Sequence, residues 1–169
     1  MTHHEQMTAK ADAFRRAMDT FIASIERLGD EAAVQAPADG GWNAAQIAWH
    51  VAVTNELLAG VFEGTVPMAQ PVPDGFEPDP DIFSKVPAKV QTFPQLEPPA
   101  SASRVEALAK LRASIAPVVN AFETFSEERA KGYFVQFPMG PLTMYQFADF
   151  TVGHVTRHQG QLERAVAAV

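Results

Sequence analysis

The sequence predicts an all-α domain, a four-helix bundle with a long Pro-rich crossover between its second and third helices. Three observations carry this reading. Four segments repeat apolar residues at helical spacing, and each opens on the spacing of a capping box. Nine of the thirteen prolines are confined to residues 63–102, between the second and third of those segments.

The first predicted helix has the clearest period. Met7, Ala11, Phe14, Met18, Phe21, Ile25 and Leu28 recur in steps of four and three, the inward stripe of a bundle helix. Thr2 with Glu5 forms its start signal, and Gly29 is its expected stop. The second runs from about Ala44 to Phe62, introduced by Asn43 with Gln46 and closed by Gly64. Ile47, Val51, Leu58 and Val61 or Phe62 point inward along it. The third spans about Arg104 to Phe125 after Ser103 with Glu106, with Val105, Leu108, Leu111, Ile115, Val119 and Phe122 as its stripe. Pro117 lies inside it and is expected to kink it, because its ring blocks the bond to residue 113. The fourth covers about Met144 to Ala167 after Thr143 with Gln146, with Phe147, Phe150, His154, His158 and Leu162 facing inward.

Proline at the density of residues 63–102 forbids regular helix and central strand. Phe76, Ile82, Phe83, Phe93 and Leu96 are spread through that segment, which favours a loop packed on the bundle. A connection of that length lets the second and third helices run parallel. The shorter stretch KGYFVQFPMGPLT between the last two helices is expected to form a small hairpin or an irregular turn.

A chain of 169 residues is read as one domain over 1–169, large enough to bury a core without staples. Its 47% apolar and 20% charged content is that of an ordinary globular protein. There is no cysteine, so disulfides, thiolate ligands and a cysteine nucleophile are excluded, and metal ligation falls to imidazole and carboxylate. A formal charge of -7 with no basic run argues against nucleic acid as a partner. MTHHEQMTAK lacks the apolar core of a signal peptide, and no apolar run reaches bilayer length. The expectation is a cytoplasmic protein with no membrane partner.

Three of the five histidines fall on inward stripes. His154 and His158 stand four apart, so one helix presents both rings on one face, and His50 lies on another predicted helix. A buried neutral imidazole has a donor and an acceptor to satisfy, at about 1–3 kcal/mol for each one left unpaired. A metal ion relieves that cost by taking the lone pairs, leaving each other N–H for a neighbouring acceptor. His50, His154 and His158 are therefore the candidate metal ligands. His3 and His4 belong to a polar terminus, are expected to be solvated, and carry no role. Val155, Thr156 and Arg157 stand between the paired histidines, so the glutamate of an H-E-x-x-H protease is missing. Neither histidine helix holds the Glu-x-x-His pair of a di-iron site.

At these residues the chain resembles the DinB-like metal-binding superfamily. The resemblance rests on WNAAQIAWHVAVTNELL, on FPMGPLTMYQFADFTVGHVTRHQGQLERAV and on the gap between them. Trp42 and His50, Gly140 to Thr143, then His154 and His158 fill the family's pattern. The resemblance implies a four-helix bundle, a divalent metal such as nickel or zinc on the three histidines, and a homodimer. It further implies kinship with enzymes that use a low-molecular-weight thiol as cosubstrate, S-transferases and thiol-dependent isomerases among them.

Three protein ligands leave positions open for water or a small-molecule substrate. The expected chemistry is activation of a thiol or of water, with the catalytic residues unknown. The alternatives are a structural ion tying two helices together, and histidines bridged by water alone. Gln46 and Thr54 are candidates to hydrogen-bond around His50, and Met139 and Tyr145 to line the mouth. Glu56, Asp149 and Arg157 are read as solvated or ion-paired, and the crossover as a candidate lid.

Overall fold

The computed structural model describes residues 1–88 and 90–168. Four long helices dominate it: α1 (His3–Glu26), α3 (Ala44–Glu63), α4 (Arg104–Thr124) and α6 (Met144–Ala167). Among the described residues two short helices, α2 (Asp30–Val34) and α5 (Glu127–Gly132), two 3-10 turns (Ile82–Lys85 and Pro94–Leu96) and three short strands complete the regular structure. The mainly helical class is as expected. The all-α expectation omits a sheet, β1 (Ala69–Pro71), β2 (Tyr133–Phe137) and β3 (Gly140–Thr143), antiparallel in that order. KGYFVQFPMGPLT therefore folds as a hairpin, pairing Phe134 with Thr143 and Phe137 with Gly140.

The capping signals place the helix starts well. Thr2, Asn43 and Thr143 each accept from the backbone N–H three residues on, and Glu5, Gln46 and Gln146 bond back. Ser103 makes only its own half of the exchange. Such a cap stabilises a helix by about 1 kcal/mol. Gly64 ends α3 at φ 84°, a left-handed conformation that disfavours side chains with a Cβ. α1 stops at Glu26, earlier than expected, and Gly29 instead precedes α2. α4 runs unbroken through Pro117.

Helix directions follow from paired contacts. Trp49 meets Lys110, Asn55 meets Ser114 and Phe62 meets Phe122, so α3 and α4 run parallel. Lys10 pairs with Asp149, and Ser24 with Gln159, so α1 and α6 are also parallel. Phe14 against Phe122 and Glu26 against Arg112 make α1 and α4 antiparallel, as His50 with His154 and Phe62 with Phe147 do for α3 and α6. Phe62 lies at the centre of the core, its ring against Phe122, Phe125 and Phe147.

The inward stripes of α1 and α3 are buried as read, with only Leu28 partly open. Val105 is not: it is 66% exposed. Arg104, four residues before Leu108, takes that place and donates to the carbonyls of Ile25 and Glu26 at the end of α1. The last carbonyls of a helix lack donors one turn on, and although Ile25 O also accepts from Leu28 N–H at 3.1 Å, a guanidinium serves there better than a valine.

The proline-rich segment lies against the helices. Ile82 and Leu96, each in a short 3-10 turn, are buried, and Phe76 packs on Phe134. Three side chains tie it down: Gln146 donates to Asp79 O at 2.7 Å, Arg157 to Ala88 O at 3.1 Å, and His50 to Leu96 O at 2.8 Å. No helix among the described residues is long and apolar enough to cross a membrane.

Candidate metal centre

α3 supplies His50 from its inner stripe, and α6 supplies His154 and His158 from consecutive turns. Because α3 and α6 are antiparallel, a residue early in α3 comes level with one late in α6. The structure brings all three predicted residues together, with ligand atoms within 4.8 Å of one another. His154 Nε2 lies 3.3 Å from His50 Nε2 and 3.0 Å from His158 Nε2. Among the described residues this is the one cluster of histidines or carboxylates with such spacing.

The outer nitrogens fix which proton each ring carries. A carbonyl only accepts, so His50 Nδ1–H donates to Leu96 O at 2.8 Å. His158 Nδ1–H donates to Gln161 Oε1 at 2.6 Å in the same way. Both neutral rings then turn a bare Nε2 lone pair towards His154. A single proton on His154 Nε2 satisfies only one of those neighbours, while His154 Nδ1 is buried without a partner. Three converging nitrogens that share at most one proton are matched to a cation. Four ligands at about 2.0–2.1 Å around zinc stand about 3.3 Å apart, close to the two separations from His154.

Charge strengthens the fit. Burial lowers the His50 pKa, partly opposed by the Leu96 carbonyl. Burial, then His158, His50 and Arg157, hold His154 well below its ordinary value. Burial and His50 push His158 down to about 4, against the pull of Gln161. All three rings are neutral at physiological pH, the state in which imidazole ligates.

Above the histidines lies a cavity of about 480 Å³. Its walls come from α3, from the proline-rich segment, from the Phe137–Met139 turn and from α6. Residues of the proline-rich segment thus form one wall of the cavity over the histidines. Met139 lines the cavity as expected, but Tyr145 does not. Tyr145 instead bonds His3 Nδ1 at 2.8 Å, and His3 Nε2–H donates to Phe125 O at 2.6 Å, so His3 is not the solvated residue expected. His4 is exposed.

Gln46 is committed to the cap of α3, and Thr54 lines the cavity with its hydroxyl unpartnered, so neither bonds His50. Glu56 is exposed, Asp149 is ion-paired with Lys10, and Arg157 donates to Ala88 O in the proline-rich segment. Sequence reasoning missed two positioning groups. Gln161, three residues after His158, was open to detection by helical spacing. The Leu96 carbonyl carries no side-chain signal.

No curated protein and no solved structure gives a match to this chain. The family model described as the DinB superfamily matches residues 13–162, most of the chain and all three histidines. This protein belongs to the DinB superfamily.

Proposed function

We propose that this protein is a metal-dependent enzyme that activates a small thiol, in the manner of an S-transferase, or a water molecule. The observation that carries the reading is the convergence of three neutral Nε2 atoms on the inner wall of a cavity large enough for a small-molecule substrate. A purely structural site is closed by protein ligands, whereas three ligands beneath a cavity leave coordination positions facing ligand space.

His50, His154 and His158 would hold the ion, with nickel or zinc as the metal. When bound, it supplies a Lewis acid that keeps a thiol as thiolate or lowers the pKa of a water to about 7. The remaining work belongs to the chain. Leu96 and Gln161 hold two rings with Nε2 forward, and burial keeps the rings unprotonated. The apolar walls limit water around the reacting atoms, which strengthens electrostatic interactions there. Within this reading the four long helices form a four-helix bundle, the Pro-rich segment is its crossover, and the working unit is a cytoplasmic homodimer.

The test is elemental analysis of tag-free protein, followed by a panel of electrophiles offered with several small thiols, and ester and amide substrates without thiol. Metal-dependent turnover supports the proposal. The second reading, a structural ion, is favoured by the way the histidines bridge α3 and α6. Co-purifying metal, a lower Tm on chelation and no turnover across the panel would establish it instead.

A further inference from the structure

We infer that the cavity over the histidines takes a small molecule with an extended apolar body and one polar end. The polar end lies at the histidines, and the apolar body lies against the crossover.

The walls dictate the class. Leu57, Leu58, Met68, Phe137 and Phe150 form the inner surface, and Phe83 and Phe93 the outer part. Among the described residues two charged side chains reach the cavity, Asp149 and Arg157, and both are engaged, with Lys10 and with Ala88 O. Away from the histidines, Thr54, Gln91 and Thr92 supply the few uncharged polar side chains of the lining, so a ligand charged or hydroxylated along its length would lose most of its water there without replacement. An apolar chain loses nothing and gains burial.

The exposed surface points the same way. Among the described residues seven large apolar side chains are exposed, and three of them, Phe83, Val90 and Phe93, line this one cavity from the crossover. Phe93 is 51% exposed and Val90 49%. Away from the cavity the same segment buries Ile82 fully and leaves Val72 and Phe76 half-buried. An apolar ligand would cover what Phe83, Val90 and Phe93 leave open. A concavity of about 480 Å³ with polar nitrogens at its base suits a small molecule better than a protein face, which covers flat patches.

The orientation of the ligand rests on the proposed metal-dependent chemistry, whereas its apolar class rests on the walls alone. The experiment keeps the two apart. Full-length protein, metal-free and metal-loaded, is titrated calorimetrically with n-alkanols from butanol to decanol, with α,ω-diols of equal length as polar controls. Affinity should rise about fourfold per methylene, from about 0.8 kcal/mol per buried CH₂. The diols should bind at least about tenfold more weakly.

Gly153 lines the cavity and a Cβ there meets nothing within 4 Å, so Gly153→Leu should fold while narrowing the space. It should weaken decanol binding about tenfold or more, and the exposed-site variant Phe93→Ser should weaken it by a smaller factor. Affinities that ignore chain length, or wild-type binding by Gly153→Leu, would overturn the inference. So would failure to bind any alkanol in a protein that sediments as a dimer and is split by Phe93→Ser, since a second copy would then be the occupant. Chain-length dependence without metal uptake would leave the ligand class standing and remove the metal centre. Metal-dependent turnover without chain-length dependence would do the reverse.

Discussion

His154 and His158 face each other across one turn of α6, their Nε2 atoms 3.0 Å apart and their ring planes at 68°. Two neutral nitrogens at that distance need a shared proton or a shared cation, and His50 adds a third claimant at 3.3 Å from His154. His154 stands between the other two. His154→Ala should therefore remove metal binding by more than about 100-fold, beyond the 10–100-fold typical of an outer-shell change. Elemental analysis after dialysis against a defined zinc or nickel buffer reads the result. Retention of wild-type stoichiometry would dissolve the centre.

Gln161 offers a milder test of the same geometry. Its Oε1 accepts from His158 Nδ1–H, holding Nε2 forward. Gln161→Leu keeps the helix and most of the volume but frees the ring to turn. A 10–100-fold loss of metal affinity is expected, with little change in helical content. Competition titration against a chelator of known affinity measures it, and an unchanged affinity would deny Gln161 its positioning role.

Acid should destabilise the metal-free protein within a defined window. The His158 pKa is pushed down to about 4 in the folded state, from 6.5 for an unperturbed histidine. Between those values the unfolded chain binds more protons, so stability rises with pH there. The contribution is complete above about 6.5 and is lost as pH falls towards 4. His158 alone gives a slope of at most about 1.4 kcal/mol per pH unit, and the lowered values of His50 and His154 add in the same direction. Urea denaturation at a series of pH values checks it. Equal stability at pH 7 and pH 5 would mean that the rings are already solvated.

How much was legible in the sequence depends on whether helical spacing governed the feature. The i, i+4 geometry placed His154 and His158 on one face, and the stripe of Ile47, Val51 and Leu58 placed His50 on the inner side of α3. The sheet was harder to see, because three to five residues are too few for a clear alternation and much of its partner strand is proline and glutamine. The Leu96 carbonyl was invisible because every residue has one.

Val105 shows where periodicity misleads. It matched the stripe of α4, yet Arg104 fills the space at the end of α1 and bonds two of its final carbonyls. Val105→Ser should change stability by no more than about 0.5 kcal/mol, as exposed substitutions do. Arg104→Ala should cost about 1–2 kcal/mol, because two carbonyls at the end of α1 lose a charged donor. Equal effects of the two in denaturant titrations would restore the periodic reading.

Arg157 separates anchoring the proline-rich segment from the proposed metal binding. Its guanidinium donates to Ala88 O at 3.1 Å, while its charge helps keep His154 and His158 below their ordinary pKa. Arg157→Met keeps the aliphatic stem but removes both effects. Amides of the nearby 3-10 turn, such as Ser84 and Val86, should exchange with solvent faster, because that turn loses an anchor to α6. Metal should remain bound, and more tightly at a given pH, since a positive charge near the cation has gone. Hydrogen exchange read by mass spectrometry, alongside a chelator competition, gives both numbers from one variant. Slower exchange, or metal loss comparable to His154→Ala, would place Arg157 within the centre.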